Sequence, residues 1–129
     1  MTAKPRLKLQ ARLYCGEEIA MGPGKADLLE AIEREGSISA AARAMGMSYR
    51  RAWLLVDAMN RCWSEPLVEA VAGGSHERGA RITETGRTVL AQFRGLQSRM
   101  AALDGSEEYA ALERALRSLP LPPKGDGAA

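Results

Sequence analysis

The chain has 129 residues, 46% of them hydrophobic, enough for one folded domain with a core and a short extension. No window approaches the roughly 18 consecutive apolar residues of a membrane span, and no signal-peptide pattern follows the start, which argues for a cytoplasmic protein. The formal charge is +2, with two cysteines and one histidine. That is too few cysteines for a disulfide scaffold and too few histidines for a multi-histidine metal site, so no metal or other cofactor is expected.

Residues 7–14 alternate apolar and polar with period two, the pattern of a strand buried on one face. Gly16 and Glu17 suit a turn, and Ile19 and Met21 resume the alternation, so an N-terminal β-hairpin is predicted. Lys8, Gln10 and Arg12 would share its wet face. Gly22-Pro23-Gly24-Lys25 lacks the spacing of a phosphate-binding P-loop and reads as a loop before a helix. Residues 25–35 then form that helix on a Leu28, Leu29, Ile32 stripe, ended by Gly36.

Ser37-Ile38-Ser39 opens a short helix through Met45, and Gly46 ends it. Ser48 is a good N-cap for a longer helix from Tyr49 to about Cys62, closed near Trp63 by Asn60, Ser64 and Pro66. Residues 67–71 and 80–83 read as two strands around a glycine-rich tip at 72–79. Thr83 or Thr85 caps the next helix, which runs to about Leu103. Its Val89, Phe93, Leu96, Met100 and Leu103 are spaced four, three, four, three, as an a/d seam or as plain core. Ser106 caps a last helix with the stripe Tyr109, Leu112, Leu116 and Leu119, expected to dock on the preceding helix. Residues 120–129 read as a disordered tail.

The most informative stretch is Ile38 to Met59. Two helices joined by a tight turn need a small residue at their crossing and a glycine at the reversal, and Ala42 and Gly46 stand four apart as a helix-turn-helix requires. Ala41, Met45, Met47, Ala52 and Leu55 fall at the inward positions. The outer face of the second helix offers Tyr49, Arg50, Trp53 and Asp57, with Arg51 beside them. Arginines at a helix N-terminus oppose the macrodipole, and an external anion such as a DNA phosphate resolves the conflict. All nine basic residues between 37 and 100 are arginines, against five acidic residues there. The guanidinium fork suits phosphates and guanine edges. The glycine-rich hairpin would act as a wing, bringing Ser75, His76, Arg78 and Arg81 to the backbone or minor groove.

These motifs carry a family resemblance. Gly22-Pro23-Gly24-Lys25, Leu28 through Ile32, Gly36 through Ser39 and Ser48-Tyr49-Arg50-Arg51-Ala52-Trp53 together resemble the N-terminal domain of the molybdate-responsive ModE-type transcriptional regulators. Asp57 through Asn60, Ala72-Gly73-Gly74 and Ile82 through Gly86 continue the match, which covers about residues 5–103. LysR-type regulators share the helix-turn-helix and wing but usually lack the Ser-Tyr-x-x-Ala-Trp signature. The resemblance implies a recognition helix starting with Ser48, Tyr49, Arg50, Arg51 and Trp53. It also implies a homodimer through the long post-wing helix and a palindromic operator in double-stranded DNA. Full-length regulators of this type add small β-barrel domains that bind molybdate. The 26 residues after Leu103 cannot build one, which leaves room for a separate effector or sensor protein.

Other chemistry is weaker. His76 sits between Ser75 and Glu77 on one loop, which does not preorganise a catalytic triad, so no enzyme is expected. Cys62 reads as an apolar filler and Cys15 as an exposed thiol able to cross-link a dimer. Trp63 is expected in the core and Trp53 partly exposed. The expected architecture is α+β and mostly helical: a winged helix-turn-helix with a dimerisation helix over 1–104, a C-terminal helix over 105–119 and the tail. A winged-helix interaction module that has lost specific DNA binding is the alternative.

Overall fold

The computed structural model describes residues 6–72 and 79–125. Chain order is β1 (Leu13–Cys15), β2 (Glu18–Met21), α1 (Pro23–Glu35), α2 (Ile38–Met45), α3 (Tyr49–Cys62), β3 (Val68–Val71), β4 (Gly79–Ile82), α4 (Glu84–Ala101) and α5 (Glu107–Ala115), with a 3-10 turn over Ala102–Gly105. The architecture is a mostly helical α+β winged helix-turn-helix, with an antiparallel hairpin on each side of the first three helices.

Side-chain caps set most of the helix starts. The Ser37, Ser48, Thr83 and Ser106 hydroxyls accept from the amides of Ala40, Arg51, Gly86 and Tyr109 at 3.0, 3.0, 2.9 and 3.2 Å. Each satisfies one amide that a helix N-terminus leaves free. α1 starts two residues earlier than expected, because Pro23 sits in its first turn, where a missing N–H costs nothing. Gly36 and Gly46 end α1 and α2 in the left-handed region, at φ 84° and 69°.

The first hairpin is shorter than the alternation suggested. Only Leu13–Cys15 pairs with β2, around a two-residue turn with positive φ at Gly16 alone. Residues 7–12 alternate but form no strand. β2 ends at Met21 and α1 begins at Pro23, so no backbone is left for them to pair with.

α1 is the centre of the core. Its Ala26, Leu28, Leu29, Ala31 and Ile32 are buried against Ala41, Ala42, Ala52, Val56 and Met59 of the helix pair. Met21, Leu67, Val68, Ala80, Ile82, Leu90 and Phe93 complete the cluster. Ala41 and Ala52 are fully buried, and Met45, Met47 and Leu55 pack against the cluster, as the helix-turn-helix reading expected. Val56 was missing from that reading. Trp63 is half-buried against the core, and its indole N–H donates to the Ala20 carbonyl at 3.0 Å.

The end of the chain departs from expectation. α5 stops at Ala115, so Leu116 and Leu119 lie outside it and the four-residue stripe does not form. Leu112, Leu116 and Leu119 are all exposed, and α5 packs on the 3-10 turn rather than along α4. The helix ends where Arg6 arrives from the other end of the chain. Its guanidinium donates to the Leu116 and Arg117 carbonyls at 3.0 Å each. A cation there satisfies free carbonyls and complements the negative end of the helix.

Candidate nucleic-acid interface

The recognition helix α3 is held by both its neighbours. Against α2 the contact is small-residue packing, Ala41 and Ala42 on Ala52 and Val56. Against the wing it is one amide. Asn60 Oδ1 accepts from the Leu67 and Val68 amides at 2.9 and 3.1 Å, and its Nδ2 donates to the Val68 carbonyl at 3.0 Å. Asn60 thus fixes the first strand of the wing to the last turn of α3. The sequence reading took it only for a helix-ending residue. Its signal was a polar residue on the side of the helix that carries Ala52, Val56 and Met59.

The wing is fixed at its other strand too. The Ala80 amide donates to the Gly36 carbonyl at 2.9 Å, and a Cβ on Gly79 would stand 3.1 Å from that same oxygen. The turn between α1 and α2 therefore abuts β4. Strands β3 and β4 pair from Val68 with Ile82 to Val71 with Gly79. At the hairpin base, Thr83 donates its amide to the Leu67 carbonyl at 2.9 Å and its hydroxyl to the Pro66 carbonyl at 2.7 Å. Gly86 passes so close to the Leu67 backbone that a Cβ would stand 3.1 Å from its carbonyl carbon.

On this frame the outer face of α3 is open. Tyr49 is 56% exposed and Trp53 47%, and Arg50 and Arg51 are exposed as well. Among the described residues neither arginine side chain has an ion-pair partner, whereas those of Arg34, Arg61, Arg81, Arg87 and Arg94 all do. Asp57, on the same outer face, is occupied by Arg61 at 2.9 Å. The Ser48 hydroxyl caps α3 and so lies at the same end. Between α3 and the wing runs a groove of about 570 Å3, lined by Tyr49, Trp53, Asn60, Glu69 and the start of α2.

The wing residues divide. Arg81 lies on β4 and its guanidinium is engaged by Glu69 across the hairpin at 2.6 Å. Ser75, His76 and Arg78 lie outside the described residues.

The a/d positions of α4 also divide. Phe93 is buried in the chain's own core and Val89 packs against it, while Leu96 is exposed and Met100 half-buried; α4 stops at Ala101, so Leu103, also exposed, lies past it in the 3-10 turn. Val89, Phe93 and Leu96 line an almost purely apolar groove of about 270 Å3 with Leu13, Met21 and Trp63. Cys62 is half-buried, and burial pushes its thiol up, with the neighbouring Cys15 thiol and the charge of Glu18 acting in the same direction. A raised thiol is a poor thiolate source, which fits the filler reading. Among the described residues no group of three His, Cys, Asp or Glu side chains could hold a metal ion, and no helix is long and apolar enough to cross a membrane.

Residues 25–87, from α1 to the start of α4, match the bacterial regulatory helix-turn-helix proteins of the lysR family. Over 90 residues the chain is 44% identical to the molybdenum transport protein ModE of Azotobacter vinelandii, a match covering 69% of this chain and 33% of that protein. Over 84 residues it is 36% identical to the DNA-binding transcriptional dual regulator ModE of Escherichia coli K12, covering 65% and 30%. The chain thus spans about a third of the length of the curated relatives it matches, and the ModE-type resemblance holds over that span. A MarR family protein from Bacillus stearothermophilus shares the fold, with a TM-score of 0.51 and 25% identity over 75% of this chain and 71% of its own.

Proposed function

We propose that the protein is a transcriptional regulator that binds a palindromic operator in double-stranded DNA as a homodimer, at genes concerned with molybdenum. One observation carries the DNA reading. At the start of α3, two arginines and two aromatics are exposed, and the arginines have no ion-pair partner among the described residues. A helix N-terminus repels cations, so such residues lower stability unless an anion arrives. Arg50 is the candidate base reader, since a guanidinium fork matches the O6 and N7 of guanine. Tyr49, Arg51, Trp53 and Ser48 flank it, and Ser75, His76 and Arg78 would track the backbone from the wing, joined by Arg81 only where a phosphate displaces Glu69 from it.

The apolar groove between β1 and α4, with Leu96 exposed on that helix and Leu103 exposed in the 3-10 turn after it, supports the dimer. Two copies related by a two-fold axis would set their α3 helices about 34 Å apart, one turn of DNA. The named relatives suggest molybdenum-related target genes.

The test is a salt titration of binding to the chain's own upstream promoter region against a random duplex. Selective binding that weakens steeply with salt is expected. Equal affinity for both duplexes would overturn the operator reading. Light scattering at micromolar concentration should give the mass of two chains, and the mass of one would remove the dimer.

A further inference from the structure

On the flank of α3 away from the wing lies a second concavity, of about 360 Å3. It is framed by the segment before β1, the start of α1 and the start of α3, and three cations line it: Arg12, Lys25 and Arg51. Each comes from a different part of the fold, so only the tertiary structure brings them together. The stem of Arg12 packs at Gly22, its Cγ 3.5 Å from where a Cβ would stand. Lys25 is half-buried.

Among the described residues, no ion pair holds any of the three. The environment of Lys25 registers the crowding. Burial draws its ammonium below the usual lysine range, Arg12 and Arg51 add to that, and Glu18 and Cys62 oppose it. Like charges gathered in a concavity repel one another in the free protein, and an entering anion relieves the repulsion. Two guanidinium forks and an ammonium offer many donors to one tetrahedral oxyanion.

The position decides which oxyanion. Arg51 is the third residue of α3 and follows Arg50, so the concavity opens beside the end of the helix assigned to the major groove. A duplex seated there brings a backbone phosphate to that flank. We propose that Arg12, Lys25 and Arg51 form a seat for one backbone phosphate of the DNA that α3 reads. This rests on the DNA-binding reading and adds Arg12 and Lys25 to the interface.

The test uses the full chain and the double variant Arg12→Gln/Lys25→Gln. Anisotropy titrations compare the upstream promoter duplex with a random duplex at several salt concentrations. The double variant should lose affinity for both duplexes by the same factor, roughly tenfold, and its salt slope should flatten by about 0.9 for the phosphate lost. Unchanged affinity and slope, with the wild type binding normally, overturn the seat and leave the DNA reading standing. A wild type that binds neither duplex overturns the DNA reading, and the seat with it. Ethylation interference on the wild-type complex supplies a readout that needs no variant to fold. One backbone phosphate flanking the bases that Arg50 reads should block binding when ethylated, and no such phosphate counts against the seat. Melting in inorganic phosphate against chloride at equal ionic strength separates the source. Stabilisation of the wild type but not of the double variant, with DNA affinity unchanged in that variant, would assign the pocket to a free oxyanion and overturn the DNA source.

Discussion

Where α4 crosses α1, the Arg94 guanidinium donates to Glu30 at 2.6 Å, to Asp27 at 2.7 Å and to Gln97 at 2.8 Å. Where α3 begins, Arg50 and Arg51 have no such partners among the described residues, and Tyr49 and Trp53 stand beside them in solvent. The residue types are the same, and the difference lies in what faces them. Arg94 meets two carboxylates of the neighbouring helix, so its charge is spent inside the chain. Arg50 and Arg51, at the start of α3, meet no carboxylate of the described residues. A surface arginine with internal partners is part of the fold, and one left without them at a helix N-terminus is available to a ligand.

That contrast can be broken by substitutions on either side of it. The largest effect belongs to the core beneath both regions. Leu29→Ala, at a fully buried position of α1, should cost about 2–5 kcal/mol in chemical denaturation and weaken DNA binding only through loss of folded protein. Asn60→Ala comes next. It removes three hydrogen bonds between α3 and β3 and should cost about 1–3 kcal/mol, with faster hydrogen exchange at the Leu67 and Val68 amides. If those amides keep their protection, the wing is held by its other contacts.

Arg50→Ala should leave the melting temperature within a degree or so of wild type, yet cost about 1–3 kcal/mol of discrimination for the operator. Equal losses on operator and random DNA would take base reading away from Arg50. The smallest effect is expected at Arg94. Its pairs with Glu30 and Asp27 are partly exposed and screened, so Arg94→Ala should cost no more than about 1 kcal/mol. Arg94 holds the Glu30 carboxyl below the usual carboxylate range. A folded-state value lowered in this way adds stability above the unfolded value, and that stability disappears as pH falls through the folded value. The stability gap between wild type and Glu30→Gln should therefore be constant near neutral pH and close below about pH 4. A gap that persists at pH 2 would assign the effect to packing rather than charge.

Much of this was legible in the chain. Ser48 and Ser106 were read as caps and Thr83 as one of two candidates, because a hydroxyl at the first non-helical position acts on amides three residues away. Gly36 and Gly46 were read as helix ends because glycine reaches positive φ without strain. The alternation at 7–12 misled, since period two describes a half-buried strand only when a partner strand is long enough. The Leu116 and Leu119 positions misled because a helical spacing continues on paper after the helix has stopped.

What the sequence determined by itself is local: where helices start and stop, the small-residue crossing of α2 on α3, and the exposed arginines at the start of α3. These depend on contacts within a few residues, which spacing records directly. What the tertiary structure alone decided are meetings between distant segments. Asn60 reaches the wing, Arg6 meets the carbonyls just past α5, Arg94 is taken by α1, Phe93 enters the core while Leu96 stays outside, and Arg12, Lys25 and Arg51 share one concavity. A side chain's charge and shape are written in the chain, but its partner is chosen by the packing of elements far apart in sequence.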